Sequence, residues 1–265
     1  MIRRMAWPAV LAMLLTLAPA QAKTPVREPA SAAVRCPAAR ASGDAFQDAA
    51  REFRPGAAPR IFMALSKDRH ALLKKLLAAG DDPNICHAGI SPLMMAVANG
   101  DAQVVALLLD AGARLDSPRD TNGSTPLHYA LSTPPLEIAT LLLERGADAR
   151  VLADGGRTTL HSLALQPLPP PQQQAIQIAL AARLLRQRIP VDATHGQGDT
   201  ALQMAVSTGN LGLTNLLLEH GADPTLRNKR GEDALACARR RGHAAVVQRL
   251  QQHLAGKTAL SPAQQ

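Results

Sequence analysis

Ser124-Thr125-Pro126-Leu127-His128-Tyr129-Ala130 is the stretch on which the fold of this chain turns. An apolar run, Ile138 to Glu144, follows it, and then Arg145-Gly146-Ala147-Asp148. The same layout recurs as Ser91-Pro92-Leu93 with Leu107-Leu108-Leu109 and Ala111-Gly112-Ala113. It recurs again as Thr158-Thr159-Leu160-His161, and as Thr200-Ala201-Leu202 with Leu216-Leu217-Leu218 and Gly221-Ala222-Asp223. The repeated leucines stand at 93, 127, 160, 202 and 235, in steps of 34, 33, 42 and 33. A period in this range marks a stack of repeats, and the long step marks an insertion of about nine residues in one of them.

Each unit reads as helix, turn, helix and an extended, hairpin-like loop. A Ser or Thr before Pro-Leu is a helix N-cap: its hydroxyl takes a free backbone N–H, and proline suits the first helical position because its N–H is not needed there. Leu107 to Leu109 and Leu141 to Leu143 give the second helix a wide apolar stripe that must be buried against another layer. Gly80, Gly112, Gly146 and Gly221 close the second helices. Asn122-Gly123, Gly155-Gly156, Gly196-Gln197-Gly198 and Gly231 mark the loop tips. Counting back from Gly80 places Ile61 at the leucine position of a degenerate first repeat. Six repeats result, over 57–89, 90–123, 124–156, 157–198, 199–231 and 232–257.

This pattern resembles the ankyrin repeat over residues 57–257. Thr125-Pro126-Leu127-His128-Tyr129-Ala130 matches the family's Thr-Pro-Leu-His-x-Ala motif in full, and Gly146-Ala147-Asp148 and Gly221-Ala222-Asp223 match its Gly-Ala-Asp loop start. Repeat one, beginning Ile61-Phe62-Met63-Ala64, and repeat six, beginning Ala234-Leu235-Ala236-Cys237-Ala238, depart from it, as terminal repeats do because one face lacks a neighbour. The resemblance implies an all-α solenoid of helix-turn-helix repeats that binds other proteins. It also implies that His128 and His161 tie the Thr-Pro turn to the neighbouring loop rather than act as bases.

The N-terminus is of another kind. Met1-Ile2-Arg3-Arg4-Met5 is a basic head, Ala6 to Ala20 is mostly apolar, and Ala20-Gln21-Ala22 is a small-x-small cleavage site. Residues 1–22 therefore read as a secretory signal peptide, too short for a bilayer span. The short Ala-rich signal points to a bacterial periplasm, with secretion beyond it the lesser expectation, and the resemblance is then to exported bacterial ankyrin proteins. Residues 23–43, rich in Pro, Ala and Ser, read as a flexible linker. Residues 44–56, with Phe46, Ala49, Ala50 and Phe53 at helical spacing, read as an N-terminal capping helix, and 258–265 as a disordered tail.

The three cysteines are Cys36, Cys86 and Cys237. An oxidising compartment permits pairing. Cys36 precedes the capping helix and Cys86 follows repeat one, so a Cys36–Cys86 disulfide would staple that end, with a chain-entropy gain of roughly 4 kcal/mol; two free, partly buried thiols are the alternative. Cys237 reads as a small packed residue. Three cysteines without paired ligand spacing define no metal site. No nucleophile–base or paired-carboxylate layout emerges, and the Gly-rich tips lack the Gly-x-x-x-x-Gly-Lys of a phosphate loop, so no catalytic residue and no cofactor are expected. The net charge is +8 and aromatics make up 2% of the residues. The basic end, Arg227, Lys229, Arg230 and Arg239 to Arg241, reads as a solvated cap rather than a nucleic-acid surface, given the export signal and the lack of aromatics.

The expected function is non-catalytic protein binding by a monomer, through the concave face and loop tips. The position before the motif alanine runs Met63, Met95, Tyr129, Ser162, Met204, Cys237 along the stack. Met95, Tyr129 and Met204 are contact candidates there, against inter-repeat packing as the plainer reading. Loop-tip candidates are Arg114, Arg119, Asp120, Asn122, Arg150, Asp154, Arg157, His195, Arg227 and Lys229. In repeat four, Pro167-Leu168-Pro169-Pro170-Pro171-Gln172-Gln173-Gln174 stands where a turn of two to four residues is normal, with the second helix expected from about Gln173 to Gln187. Proline stiffens this insertion toward polyproline II; it is either a tolerated surface loop or part of a binding face. Three roles fit: an immunity protein or inhibitor for a toxin-like effector, a helper of a periplasmic enzyme such as a catalase, and a small-ligand sensor.

Overall fold

The computed structural model describes residues 59–87, 90–116 and 123–259. The expected signal peptide, linker and capping helix lie outside the described residues, as do Cys36, Arg119, Asp120, Asn122 and residues 260–265.

Among the described residues, twelve α-helices form six pairs. They are α1 (Arg60–Met63) with α2 (His70–Ala78), α3 (Pro92–Ala98) with α4 (Ala102–Asp110), and α5 (Pro126–Ser132) with α6 (Glu137–Glu144). Then come α7 (Thr159–Ala164) with α8 (Pro171–Arg186), α9 (Ala201–Ser207) with α10 (Leu211–Glu219), and α11 (Ala234–Arg241) with α12 (Ala244–Ala259). The loops between pairs carry isolated β-bridges, His87 with Ile90, Ala153 with Arg157 and Thr194 with Thr200, and no extended strand among the described residues. The fold is the all-helical solenoid of helix-turn-helix repeats expected.

The helix starts follow from the caps. The Ser91 Oγ accepts the Met94 N–H at 3.1 Å, and the Thr200 Oγ1 accepts the Gln203 N–H at 3.2 Å while Gln203 Oε1 takes the Thr200 N–H at 2.9 Å. Such a reciprocal box satisfies two backbone donors that a helix start would otherwise leave bare. Helix α8 starts at Pro171, two residues before the expected Gln173. Proline costs no hydrogen bond at the first helical position, so the helix runs back to the last proline of the insertion.

The core is one apolar cluster running from Ile61 to Leu250. Burying leucines such as Leu93, Leu127, Leu160 and Leu202, each 0–1% exposed, stabilises by about 1.5–3 kcal/mol apiece. First helices pack in a row: α3 on α5, α5 on α7, α7 on α9, α9 on α11. Second helices pack in a second row, α2 on α4, α4 on α6, α8 on α10, α10 on α12, but α6 and α8 touch only sparsely.

One closure differs from the glycine pattern. Gly80, Gly112, Gly146 and Gly221 follow their second helices with φ between +87° and +94°, and Arg188 occupies the corresponding place in repeat four with φ +61°. It is the only non-glycine at positive φ among the described residues. There its Cβ crowds the backbone, a strain that glycine avoids.

Cys86 is disulfide-bonded, and Cys237 is free and fully buried. Burial pushes the Cys237 thiol pKa up, with the Glu232 and Asp199 carboxylates adding to it.

Candidate protein-binding surface

The loop tips are held by backbone bonds that leave side chains outward. Asn84 reaches into the next repeat: its Oδ1 accepts the Arg114 N–H at 2.8 Å and its Nδ2 donates to the Gly112 carbonyl at 3.1 Å. At the seam of repeats four and five, Asp192 likewise reaches into the next repeat, its Oδ1 accepting the Asp223 N–H at 2.9 Å. The Arg150 N–H donates to Asp148 Oδ1 at 2.9 Å, and the Lys229 N–H to the Gln197 carbonyl at 3.1 Å. Bonded first by that Arg150 N–H and then by the Arg150 guanidinium, against some cost of burial, the Asp148 carboxyl sits below its ordinary pKa. Gly198, at φ +78°, lies where a Cβ would come within 3.0 Å of the Lys229 nitrogen, so the two neighbouring tips touch through bare backbone.

Of the expected contact residues, Arg114, Arg150, Asp154, Arg227 and Lys229 are exposed. Arg157 is half-buried and donates through Nη2 to Ser124 Oγ, joining two loops. His195 is also half-buried: its Nδ1 accepts the Gln197 N–H at 2.9 Å and its ring lies 5.4 Å from that of His161. Met95, Tyr129 and Met204 are half-buried and pack on the apolar core. Ser162 and Cys237 in the same row are buried, so the methionine–tyrosine row is interrupted at repeat four.

His161 is 1% exposed and fully engaged. Its Nδ1 accepts the Thr158 N–H at 3.2 Å, and its Nε2 donates to the Asp199 carbonyl of the next loop at 3.2 Å. Burial first, then the nearby His195, lowers its pKa to about 4. A neutral ring that accepts at one nitrogen and donates at the other is a structural tie. His128 occupies the same box, with Nδ1 taking the Thr125 N–H at 3.3 Å.

Sequence reading missed a polar cluster at the loop before α11. Asn228 Nδ2 donates to Asp199 Oδ1 at 2.6 Å, Arg230 Nε to Glu232 Oε2 at 3.1 Å, and Arg240 forks onto both Glu232 oxygens at 2.7 and 3.1 Å. The Arg240 hydrogen bond, against a burial cost, holds the Glu232 carboxyl below its ordinary pKa. Two of the basic residues at this end are thereby paired. The spacing of Glu232 and Arg240 across a helix start carries no local periodic signal, which is why only the structure reveals it.

A family profile described as Ankyrin repeats matches residues 61–153, 136–228 and 173–260. The chain is similar to the mouse (Mus musculus) Ankyrin repeat and MYND domain-containing protein 1, at 29% identity over 66% of this chain and 24% of that protein. It is similar to human (Homo sapiens) Ankyrin repeat and SOCS box protein 16, at 28% identity over 72% of this chain and 42% of that protein. It also matches the Putative ankyrin repeat protein FPV022 of Fowlpox virus (strain NVSL), at 29% identity over 64% of this chain and 26% of that protein. The chain thus spans less than half the length of these curated relatives. Capped helix pairs, an uninterrupted apolar core, backbone-locked loop tips and the profile match over most of the sequence agree: the chain belongs to the ankyrin-repeat family.

Proposed function

We propose that the chain is a non-catalytic protein-binding module of the bacterial periplasm, meeting its partner through the loop tips and the adjoining concave row. The single observation that carries this reading is the pairing of fixed backbone with exposed side chains at the tips. The backbone N–H groups of Arg114, Arg150 and Lys229 are each hydrogen-bonded while their side chains are exposed. Such a surface loses little backbone freedom on binding, so more of the contact energy appears as affinity. Ankyrin repeats mediate protein–protein binding, which supports the same class of function. Export rests on the N-terminal sequence, and a Cys36–Cys86 disulfide in the mature chain goes with it.

Copurification from a periplasmic extract without reductant, then titration of the identified partner, tests this. Replacing Arg150, Arg227 and Lys229 together by alanine should weaken binding about tenfold or more without lowering the melting temperature. Unchanged affinity sinks the loop-tip reading. An intact mass beginning at residue 23, two hydrogens light until reduced, is the result expected for export and pairing.

A further inference from the structure

The insertion of repeat four is the one element that the regular stack does not need. Six residues, Leu165 to Pro170, separate α7 from α8, where three separate α3 from α4 and α9 from α10. Their conformation follows from covalent geometry. Proline locks φ near −65° at positions 167, 169 and 170. A residue before proline is pushed out of the helical region into extended space, which applies to Gln166, Leu168, Pro169 and Pro170. Pro170 lies at φ −55°, ψ 155°, in the polyproline II region.

The segment is anchored at both ends. Gln166 is buried at 2% exposure, and the Gln174 Nε2 donates to the Pro169 carbonyl at 2.9 Å. Leu168, between the anchors, and Leu165, just before the first, stand 52% and 49% exposed, among the most open large apolar side chains described. The flanking turn of repeat three adds Pro134 and Pro135, since Gln173 Oε1 accepts the Leu136 N–H at 3.4 Å from that turn. No Asp, Glu, Lys or Arg lies between Arg157 and Arg183, in a chain with 50 such residues. Charge depletion around exposed apolar side chains is the composition of an interface centre rather than of a solvated loop.

We propose that the proline–leucine edge of repeat four, Leu165 to Pro171, is a docking ligand for a partner protein that presents an uncharged groove lined by aromatic side chains. Polyproline II binds such grooves because it is already extended and its proline rings stack on aromatic faces. One side of that pairing supplies prolines and the other supplies aromatics. This chain has 20 prolines but only one Trp and one Tyr, so the aromatic side belongs to the partner. The inference rests on the protein-binding reading and moves the apolar contact from the concave row to the insertion.

The test places p-benzoylphenylalanine at Leu168, and separately at Arg114, Arg150 and Lys229, in the full-length chain within the producing cell. The expected result is a light-dependent adduct from position 168 whose partner peptide contains Trp or Tyr. The purified partner should then bind the L168S/P169A/P170A variant about tenfold or more weakly than wild type, at an unchanged melting temperature. L168S alone, which keeps every proline, serves if the triple variant melts low. A partner that binds these variants as tightly as wild type overturns the inference. Adducts from the tip positions with none from Leu168 overturn it as well, and leave the protein-binding reading standing. No adduct from any position counts against both.

Discussion

The seam between repeats four and five and the seam between repeats three and four use the same kinds of helix and are held differently. At four–five, α8 lies along α10, and a buried polar chain crosses between them. Asn210 caps α10 by accepting the Leu213 N–H at 2.9 Å, and its Nδ2 donates to Gln177 Oε1 at 2.6 Å. Gln177 in turn donates to the Leu163 carbonyl at 3.2 Å. At three–four the inner helices α5 and α7 pack well, yet α6 and α8 barely meet. Gln173 bridges the gap at the rim, donating to Glu137 Oε1 at 2.8 Å and accepting the Leu136 N–H. The insertion thus replaces buried contact in the outer row with one exposed and one part-buried hydrogen bond. A buried, satisfied polar pair is costly to break because each partner is then stranded away from water; a rim pair exchanges with solvent at little cost.

The largest expected effect is the response of the four–five seam to acid. His161, with a pKa of about 4 when folded against 6.5 for the free side chain, is neutral in the native state. The unfolded chain therefore binds more protons between these values. The stabilisation is complete above pH 6.5 and is lost as pH falls through 4, by on the order of 3 kcal/mol. Urea melts from pH 7.5 to 4 should show this loss. His161→Gln should flatten that part of the profile while keeping the cap, since Gln203 performs the same box at Thr200. A profile with the same slope in the variant would assign the loss elsewhere.

Next in size is Asn210→Ala, which removes a cap and strands Gln177. A cost of roughly 2–3 kcal/mol in denaturant unfolding is expected. A change below about 0.5 kcal/mol would show that the buried chain is not what holds this seam.

Arg188→Gly should act in the opposite sense. Relief of the left-handed strain outweighs the extra freedom of glycine in the unfolded chain, so stability should rise by about 0.5–1 kcal/mol. No gain in melting temperature would mean that the arginine side chain compensates for its backbone.

The smallest effect belongs to the rim. Gln173→Ala should cost about 0.5 kcal/mol or less, as exposed polar surface contacts do. Native-state hydrogen exchange sharpens the contrast: nearest-neighbour coupling makes the weaker seam the place where a stack opens. A Gln173→Ala cost equal to that of Asn210→Ala would erase the distinction between the seams.

Much of this was legible in order along the chain. The helices, their caps and the closing glycines are local signals: a cap and the N–H it satisfies lie three residues apart, and an apolar stripe repeats within one helix. The period therefore determined the pairs, their sequence and the family. The exposed tips Arg114, Arg150, Arg227 and Lys229 could be read as surface because loop tips face solvent. What the tertiary structure decided is set between residues about one repeat apart. Which of Met95, Ser162 and Met204 is covered depends on the neighbouring repeat, and so do the Gln177–Asn210 pair, the Asn228–Asp199 hydrogen bond and the loosened contact of α6 with α8. Arg188 shows the same division, because the closing position could be counted from the period, but its left-handed backbone is imposed by the path to the next repeat. Local periodicity specifies elements; the distances between side chains on different elements specify how firmly, and through which surfaces, those elements hold and bind.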